Sequence, residues 1–296
     1  MTTTALPKTT APPMATAPKQ RVTTFSVLTE LRRQASRPRT RIALACMVAL
    51  PLVVLIAFEF GRTSDNGNNG NGVFSSLVTV ATSGGVNFAL FTLLVSSSFL
   101  LVVVFALFFG DTIASEASWG SLRYLLAIPV PRSRLLGVKL IVSLIYSVLA
   151  LVLLVGTALV AGTIRYGWNP LRSTIADQLS ASDALLRVTG AAGYIGLTLL
   201  IVAGLAFLLS VTTDAPLGAV GGAVMLQILS SILNQIEALG SIRNFLPTHY
   251  NNAWIGLLST PVQWDGMVRG TIFALAYAVI FFGFSFFRFL RKDIVS

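Results

Sequence analysis

"VTGAAGYIGLTLLIVAGLAFLLSVTTDAPLGAVGGAVMLQILSSILNQI", residues 188–236, carries two long apolar runs joined by a brief polar turn. The runs, at 188–210 and 215–236, each reach the roughly 17–25 residues that cross a bilayer core as a helix. Only "VTTDAP" separates them. Asp214 there is a ready N-cap, and Pro216 falls in the next first turn, where its missing N–H breaks no hydrogen bond. The stretch predicts a tight hairpin of two membrane-spanning helices.

Working outward, four more runs of similar length occur at 41–60, 86–110, 136–163 and 268–290. The composition agrees: 54% of the 296 residues are hydrophobic and 11% charged, against roughly 25% charged in ordinary soluble domains. So few charges cannot cover a water-soluble globule of this size. The expected fold is an all-α integral membrane protein with six transmembrane helices. No internal repeat supports a transporter built from two related halves.

Before the first run the chain changes character. Residues 1–24, rich in Thr, Ala and Pro, hold too little apolar surface to offset ordering entropy and are expected to be disordered. Residues 25–40 place Phe25, Leu28 and Leu31 on one face with Arg32 and Arg33 beside it, the pattern of a short interfacial amphipathic helix. Residues 41–296 then form the membrane domain. Its first outer loop, "RTSDNGNNGNG", reads as a flexible linker, and "NFLPTHYNNAWIGLL" within 237–267 as a segment at the outer interface.

Orientation follows from the basic residues. Of 21 Lys and Arg, eight precede Ile42, four stand where the second run leads into the third (Arg123, Arg132, Arg134 and Lys139), and three stand at the C-terminus (Arg288, Arg291 and Lys292). The alternate loops and span ends hold the other six. Both termini are therefore expected in the cytoplasm of a cell-membrane protein. The net charge of +10 gathers beside apolar runs rather than in a stripe with exposed aromatics, so nucleic acid is not an expected partner. Cys46, the only cysteine, falls inside an apolar run, where lipid or helix packing accounts for it.

The chain lacks the motifs of most enzymes. It has no G-x-x-x-x-G-K-[ST] loop to cradle a nucleotide. With His249 as its only histidine, it has no H-E-x-x-H zinc site. His249 reads as an interfacial loop residue. The expectation is a non-catalytic chain without a metal or cofactor of its own.

One polar island remains, "DTIASEASWGSLRYLLAIPVPRSRLLGVK" at 111–139. Asp111 can cap a helix over 112–127, with Trp119, Leu122 and Leu126 on one face and Glu116, Gly120 and Arg123 on another. Pro129 and Pro131 must end it, and Ser133 can cap the third span. This is a cytoplasmic amphipathic helix between the second and third spans, either an interfacial anchor or a handle for a partner.

Glu116, Gly120, Leu122, Leu126, Pro129, Arg132, Leu135 and Lys139 resemble the E-x-x-x-G-[ST]-L-x-x-L-L-x-x-P-x-x-R-x-x-L-L-x-x-K signature of type-2 ATP-binding-cassette (ABC) exporter permeases. The C-terminal "FRFLRKDI" is similar to that family's ending, while the long N-terminus departs from it. The resemblance implies a permease subunit that pairs with a second permease, identical or paralogous. Separate cytoplasmic ABC ATPase subunits would bind ATP and Mg and supply the energy. It also implies that the helix at 112–127 is a coupling helix docking on the ATPase, with Glu116, Gly120, Arg123 and Arg132 as contact residues.

The fifth span carries Gln227, Ser231 and Asn234 at i, i+4 and i+7. Such a polar stripe either glues helices together or faces a translocation path. Gly218-x-x-x-Gly222 and the Gly190/Gly193/Gly196 series permit close helix packing. A stand-alone secondary transporter or a membrane scaffold are the alternative readings. The first would usually carry ionisable groups within its spans, and these spans look nearly free of charge, with Glu59 at an outer end.

Overall fold

The computed structural model describes residues 26–64, 73–118, 131–170 and 181–291. Its helices are α1 (Val27–Ser36), α2 (Pro38–Ser64), α3 (Val73–Ala81), α4 (Gly85–Ser98), α5 (Leu100–Ser118), α6 (Arg132–Tyr166), α7 (Ala181–Thr198), α8 (Leu200–Thr212), α9 (Pro216–Asn234) and α10 (Asp265–Arg291). Two 3-10 segments, Glu237–Phe245 and Ala253–Leu258, lie between α9 and α10. Every regular element among the described residues is helical. Six stretches are long and apolar enough to cross a membrane, as the sequence implies: α2, α5, α6, α7 with α8, α9 and α10. The 1–24 tail, residues 119–130 and most of the first outer loop lie outside the described residues.

The second span is the main departure. Instead of one run over 86–110, the chain forms α4 and α5, interrupted at Phe99 (φ −142°, ψ −57°). Three consecutive serines precede the break. Ser96 donates to the Thr92 carbonyl at 2.6 Å, and Ser97 and Ser98 both donate to the Leu94 carbonyl, at 2.9 and 3.3 Å. Hydroxyls that bond back onto their own helix compete with its ladder and bend it. α5 then continues through Asp111 to Ser118, so Asp111 is an interior helical residue and not an N-cap. The span is displaced toward its C-terminal end by about two turns, because the apolar run alone does not mark where the helix stops.

Other caps differ as well. Ala215 is the N-cap of α9, and Thr213 Oγ1 accepts from its N–H at 3.1 Å, in place of a cap at Asp214. Pro216 is the first helical residue, as the sequence predicts. Pro131, not Ser133, is the N-cap of α6.

α5 sits at the centre. Its spanning window is 78% buried, whereas those of α9, α10 and α2 are about a fifth buried. α8, α9 and α6 pack around α5, and α4 and α2 pack on α6. Phe109 of α5, Phe207 of α8 and Phe282 of α10 meet with ring centroids 5.7–6.3 Å apart. Phe58, Phe88 and Tyr166 form a second knot of α2, α4 and α6. Large side chains on the outer faces, such as Leu217 and Val279, stay exposed. That distribution suits lipid, in which apolar side chains lose nothing by facing outward.

Several tight contacts between glycines and neighbouring helices lie outside the predicted motif. A Cβ on Gly85 would fall 2.6 Å from the Thr163 backbone nitrogen, and one on Gly162 would fall 3.0 Å from the Gly85 carbonyl. A Cβ on Gly110 would stand 2.9 Å from Val220 Cγ2, where α5 crosses α9. Gly218 meets only Ala215 of its own turn, and Gly193 faces open space among the described residues. Gly196 and Gly222 do approach a neighbour, with Leu151 and Leu209 at 3.1 Å from their built Cβ positions.

Candidate functional site

Among the described residues, two polar assemblies interrupt the apolar bundle, one at the end where α1 packs and one deeper, in the half remote from α1. The first gathers where α1 lies against the C-terminal turns of α5 and the first turns of α6. Lys139 and Glu116 are both 1% exposed, and Lys139 Nζ donates to Glu116 Oε1 at 2.6 Å. Lys139 also donates to Glu30 Oε1 at 3.1 Å, and Arg33 donates to Glu116 Oε1 at 2.9 Å. Two cations thus face two carboxylates, drawn from three helices.

A second group lies one turn earlier on α5. Asp111 accepts from Arg39 at 2.5 Å and from Arg37 at 3.4 Å. Tyr146 of α6 donates to the Leu31 carbonyl of α1 at 2.8 Å. Removing charges from water costs several kcal/mol per ion, offset only where partners are close and mutually satisfied. α1 is therefore held in one place. A cavity of about 550 Å³ lies beside the cluster, lined by Arg33, Arg37, Arg39, Asp111 and Glu116 among others.

This corrects the exposed position expected for Glu116. Its carboxylate is directed into the protein, because α5 carries it onto the face that meets Lys139, 23 residues further along the chain. The spans are also less free of charge than their hydropathy suggests. Asp111, Glu116 and Lys139 all stand on spanning helices, clustered at one end. Arg132 opens α6 and is half-buried. Gly120 and Arg123, with Trp119, Leu122 and Leu126, lie outside the described residues.

The second assembly lies in the half of the bundle remote from α1. A chamber of about 240 Å³ is bounded by the ends of α4, α7 and α9 and by the segment that follows α9. Gln227, Ser231 and Asn234 all line it, so the structure brings the predicted stripe to one cavity. Ser97, Ser98 and Thr198 join them, the serines at the break of the second span and Thr198 inside the fourth, whose backbone stays helical through Leu199. Asn251 and Asn252 enter from the loop. Those last two escaped a reading by helical periodicity, since they lie on no regular helix. "YNN" in an otherwise apolar loop was the available signal.

Several of these groups have partners. Ser231 donates to the Gln227 carbonyl at 3.0 Å, and Ser230 bonds Thr248 at 2.9 Å. His249 Nδ1 lies 2.8 Å from Asn234 Oδ1, the geometry of an imidazole N–H donating to the amide oxygen. Burial and the nearby Arg243 push the His249 pKa below its usual value, which favours the neutral ring. No group of three or more metal-ligating side chains occurs among the described residues.

A family model described as "Protein of unknown function" matches residues 50–295, which include Asp111, Glu116, Lys139 and the whole remote chamber. Glu30, Arg33, Arg37 and Arg39, which close the charge cluster from α1 and the start of α2, precede that stretch. No match was found among curated proteins. The extent of the matched stretch, more than half of the chain, makes this protein a member of the DUF2705 family.

Proposed function

We propose that this chain is the permease subunit of an ATP-driven exporter of the type-2 ATP-binding-cassette kind, lying in the cell membrane with both termini in the cytoplasm. It forms a translocation path with a second permease and takes energy from separate cytoplasmic ATPase subunits. The observation that carries this reading is the buried Glu116–Lys139 contact. These residues flank the segment 119–130, which holds most of the stretch 112–127 that the resemblance reads as a coupling helix, residues 112–118 being the last turns of α5. A buried ion pair ties the flanking helices to each other, and Arg33 and Glu30 tie both to α1. Force applied to the segment then moves α5, α6 and α1 together. Glu116 acts here as a positioning residue, and Gly120, Arg123 and Arg132 remain as the contacts for the ATPase.

The buried charges do not favour a proton-driven carrier. Asp111, Glu116 and Lys139 sit at one end, and residues 140–164, 188–213 and 215–236 contain no charged side chain; Asp214 stands in the turn between the last two. A relay across the membrane needs ionisable groups along the path.

The decisive experiment is purification from the native membrane in mild detergent, with co-purifying chains identified and ATP hydrolysis measured. A stoichiometric P-loop ATPase is expected. Gly120→Trp should remove it, or its stimulation, while the permease keeps its wild-type melting temperature. Purification without an ATPase, or a Gly120→Trp complex with wild-type association and stimulation, would overturn the reading.

Topology has its own check. Cys46 is exposed on α2, so a Cys46→Ala background should keep the packing intact. A cysteine at Asn68 is expected to react only from outside the cell, and one at Ser121 only from inside. The reverse pattern at either position contradicts cytoplasmic termini.

A further inference from the structure

The remote chamber carries an inference about the cargo, which rests on the exporter reading above. We infer that it holds the uncharged, hydroxyl-bearing headgroup of an amphiphile, such as a glycosyl lipid, with the acyl chain in the adjoining groove.

Charge is the first argument. Among the described residues, neither an acid nor a base lines the chamber. The chamber is open, with Ser98, Ser231, Gln235 and Asn252 exposed, and a phosphate or ammonium there would give up part of its hydration without gaining a counter-charge. A neutral polar ligand meets no such penalty.

Hydrogen-bonding capacity is the second. The side-chain amides of Gln227, Gln235 and Asn251 line the cavity, and none of them makes a side-chain hydrogen bond among the described residues. Each amide offers donors and an acceptor, which suits hydroxyl groups that also do both. Ser97 and Thr198 donate to carbonyls of their own helices at 2.9 Å, so their oxygens face a ligand mainly as acceptors. Sites at interrupted helices recur in membrane transporters, because irregular backbone at that depth is tolerated where it borders a cavity.

The third argument is continuity. A groove of about 290 Å³ shares Ser98, Gln227, Ser231 and Gln235 with the chamber, and its remaining wall is apolar: Phe99, Val102, Val224, Ile228 and Ile232. Phe99 and Ile232 are more than half exposed, so the groove opens sideways at the surface of the bundle. A polar chamber running into an apolar groove matches a molecule with a polar head and a hydrocarbon tail. A free sugar would leave the groove empty, and a wholly apolar compound would leave the amides without partners.

The test is lipid retention by the purified chain, measured by native mass spectrometry with three lipids of identical acyl chains. Monoglucosyl diacylglycerol is expected to be retained over both phosphatidylglycerol and diacylglycerol. Gln227→Leu and Asn251→Leu should each weaken that retention by about tenfold, the effect of losing one or two well-made hydrogen bonds. Val224→Trp, which fills the groove and leaves every amide in place, should weaken it as well. Equal retention of the three lipids overturns the inference. So does a Gln227→Leu protein that loses stability but keeps the same lipid preference, the mark of helix glue. Ile232→Cys adds a further control, since rapid disulfide-linked dimers would show that a second copy covers the groove. No ATPase is needed in these measurements, so a failure here is distinct from failure of the exporter reading.

Discussion

Replacing Lys139 by methionine is expected to destabilise the protein by on the order of 3–5 kcal/mol, the usual cost of removing one partner from a buried ion pair. Methionine nearly matches the lysine stem in length, so the packing volume changes little. What is lost is the charge. Glu116 and Glu30, 1% and 6% exposed at their side chains, would be left with Arg33 as their only cation among the contacts described above. The cluster then holds excess negative charge away from water, and α1 loses its deepest attachment.

Two readouts follow. The melting temperature in detergent should fall by several degrees, and trypsin should cut at Arg32 or Arg33 faster than in the wild type. The double variant Glu116→Leu/Lys139→Met should recover most of the loss. It removes both members of the pair together and leaves Glu30 to Arg33, already 3.6 Å apart. Wild-type melting and protease resistance in Lys139→Met would show that the cluster is not what holds α1. A double variant as unstable as the single one would show that charge imbalance is not the cause.

Gly85→Leu is the second change with a large expected effect. Gly85 begins α4 against Thr163 of α6, and a Cβ there would lie 2.5–2.8 Å from three Thr163 atoms, two of them backbone. A side chain can rotate away from such a clash, but a helix backbone cannot. The same turn is tied to α6 by the Gly85 N–H donating to the Gly167 carbonyl at 3.0 Å. The penalty should therefore equal or exceed the ~1–3 kcal/mol typical of an overpacked core. Gly137→Leu is the control: it lies on α6 as well, and a Cβ there meets nothing within 4 Å among the described residues. Thermal stability should fall in Gly85→Leu and hold in Gly137→Leu. Equal behaviour of the two would mean that α4 and α6 are not locked at this contact.

The two experiments probe different origins of order. At Lys139 the fold depends on matching charge, and at Gly85 on excluding volume. Both positions could be named from the sequence, since Lys139 ends the polar island and Gly85 precedes the second apolar run. Neither role could be read there. Burial of Lys139 depends on α1 arriving from more than a hundred residues earlier, and the clearance at Gly85 depends on Thr163.

The six spans, the approximate limits of all but the second, and the hairpin at Pro216 were determined by the sequence alone. Hydrocarbon demands about 20 consecutive apolar residues with all backbone groups bonded within the segment, and that requirement is local. The stripe of Gln227, Ser231 and Asn234 was equally legible, because helical periodicity alone sets it on one face. Only the tertiary structure decided what that face meets, bringing Asn251 and Ser97 to it from other segments. The structure also shows where the second span breaks, after Ser96, Ser97 and Ser98 have bonded back to the carbonyls of Thr92 and Leu94. The direction of Glu116 belongs to the same class. A carboxylate on an amphipathic helix suits water or a buried cation equally well by pattern, and the choice lies with a lysine on the neighbouring helix.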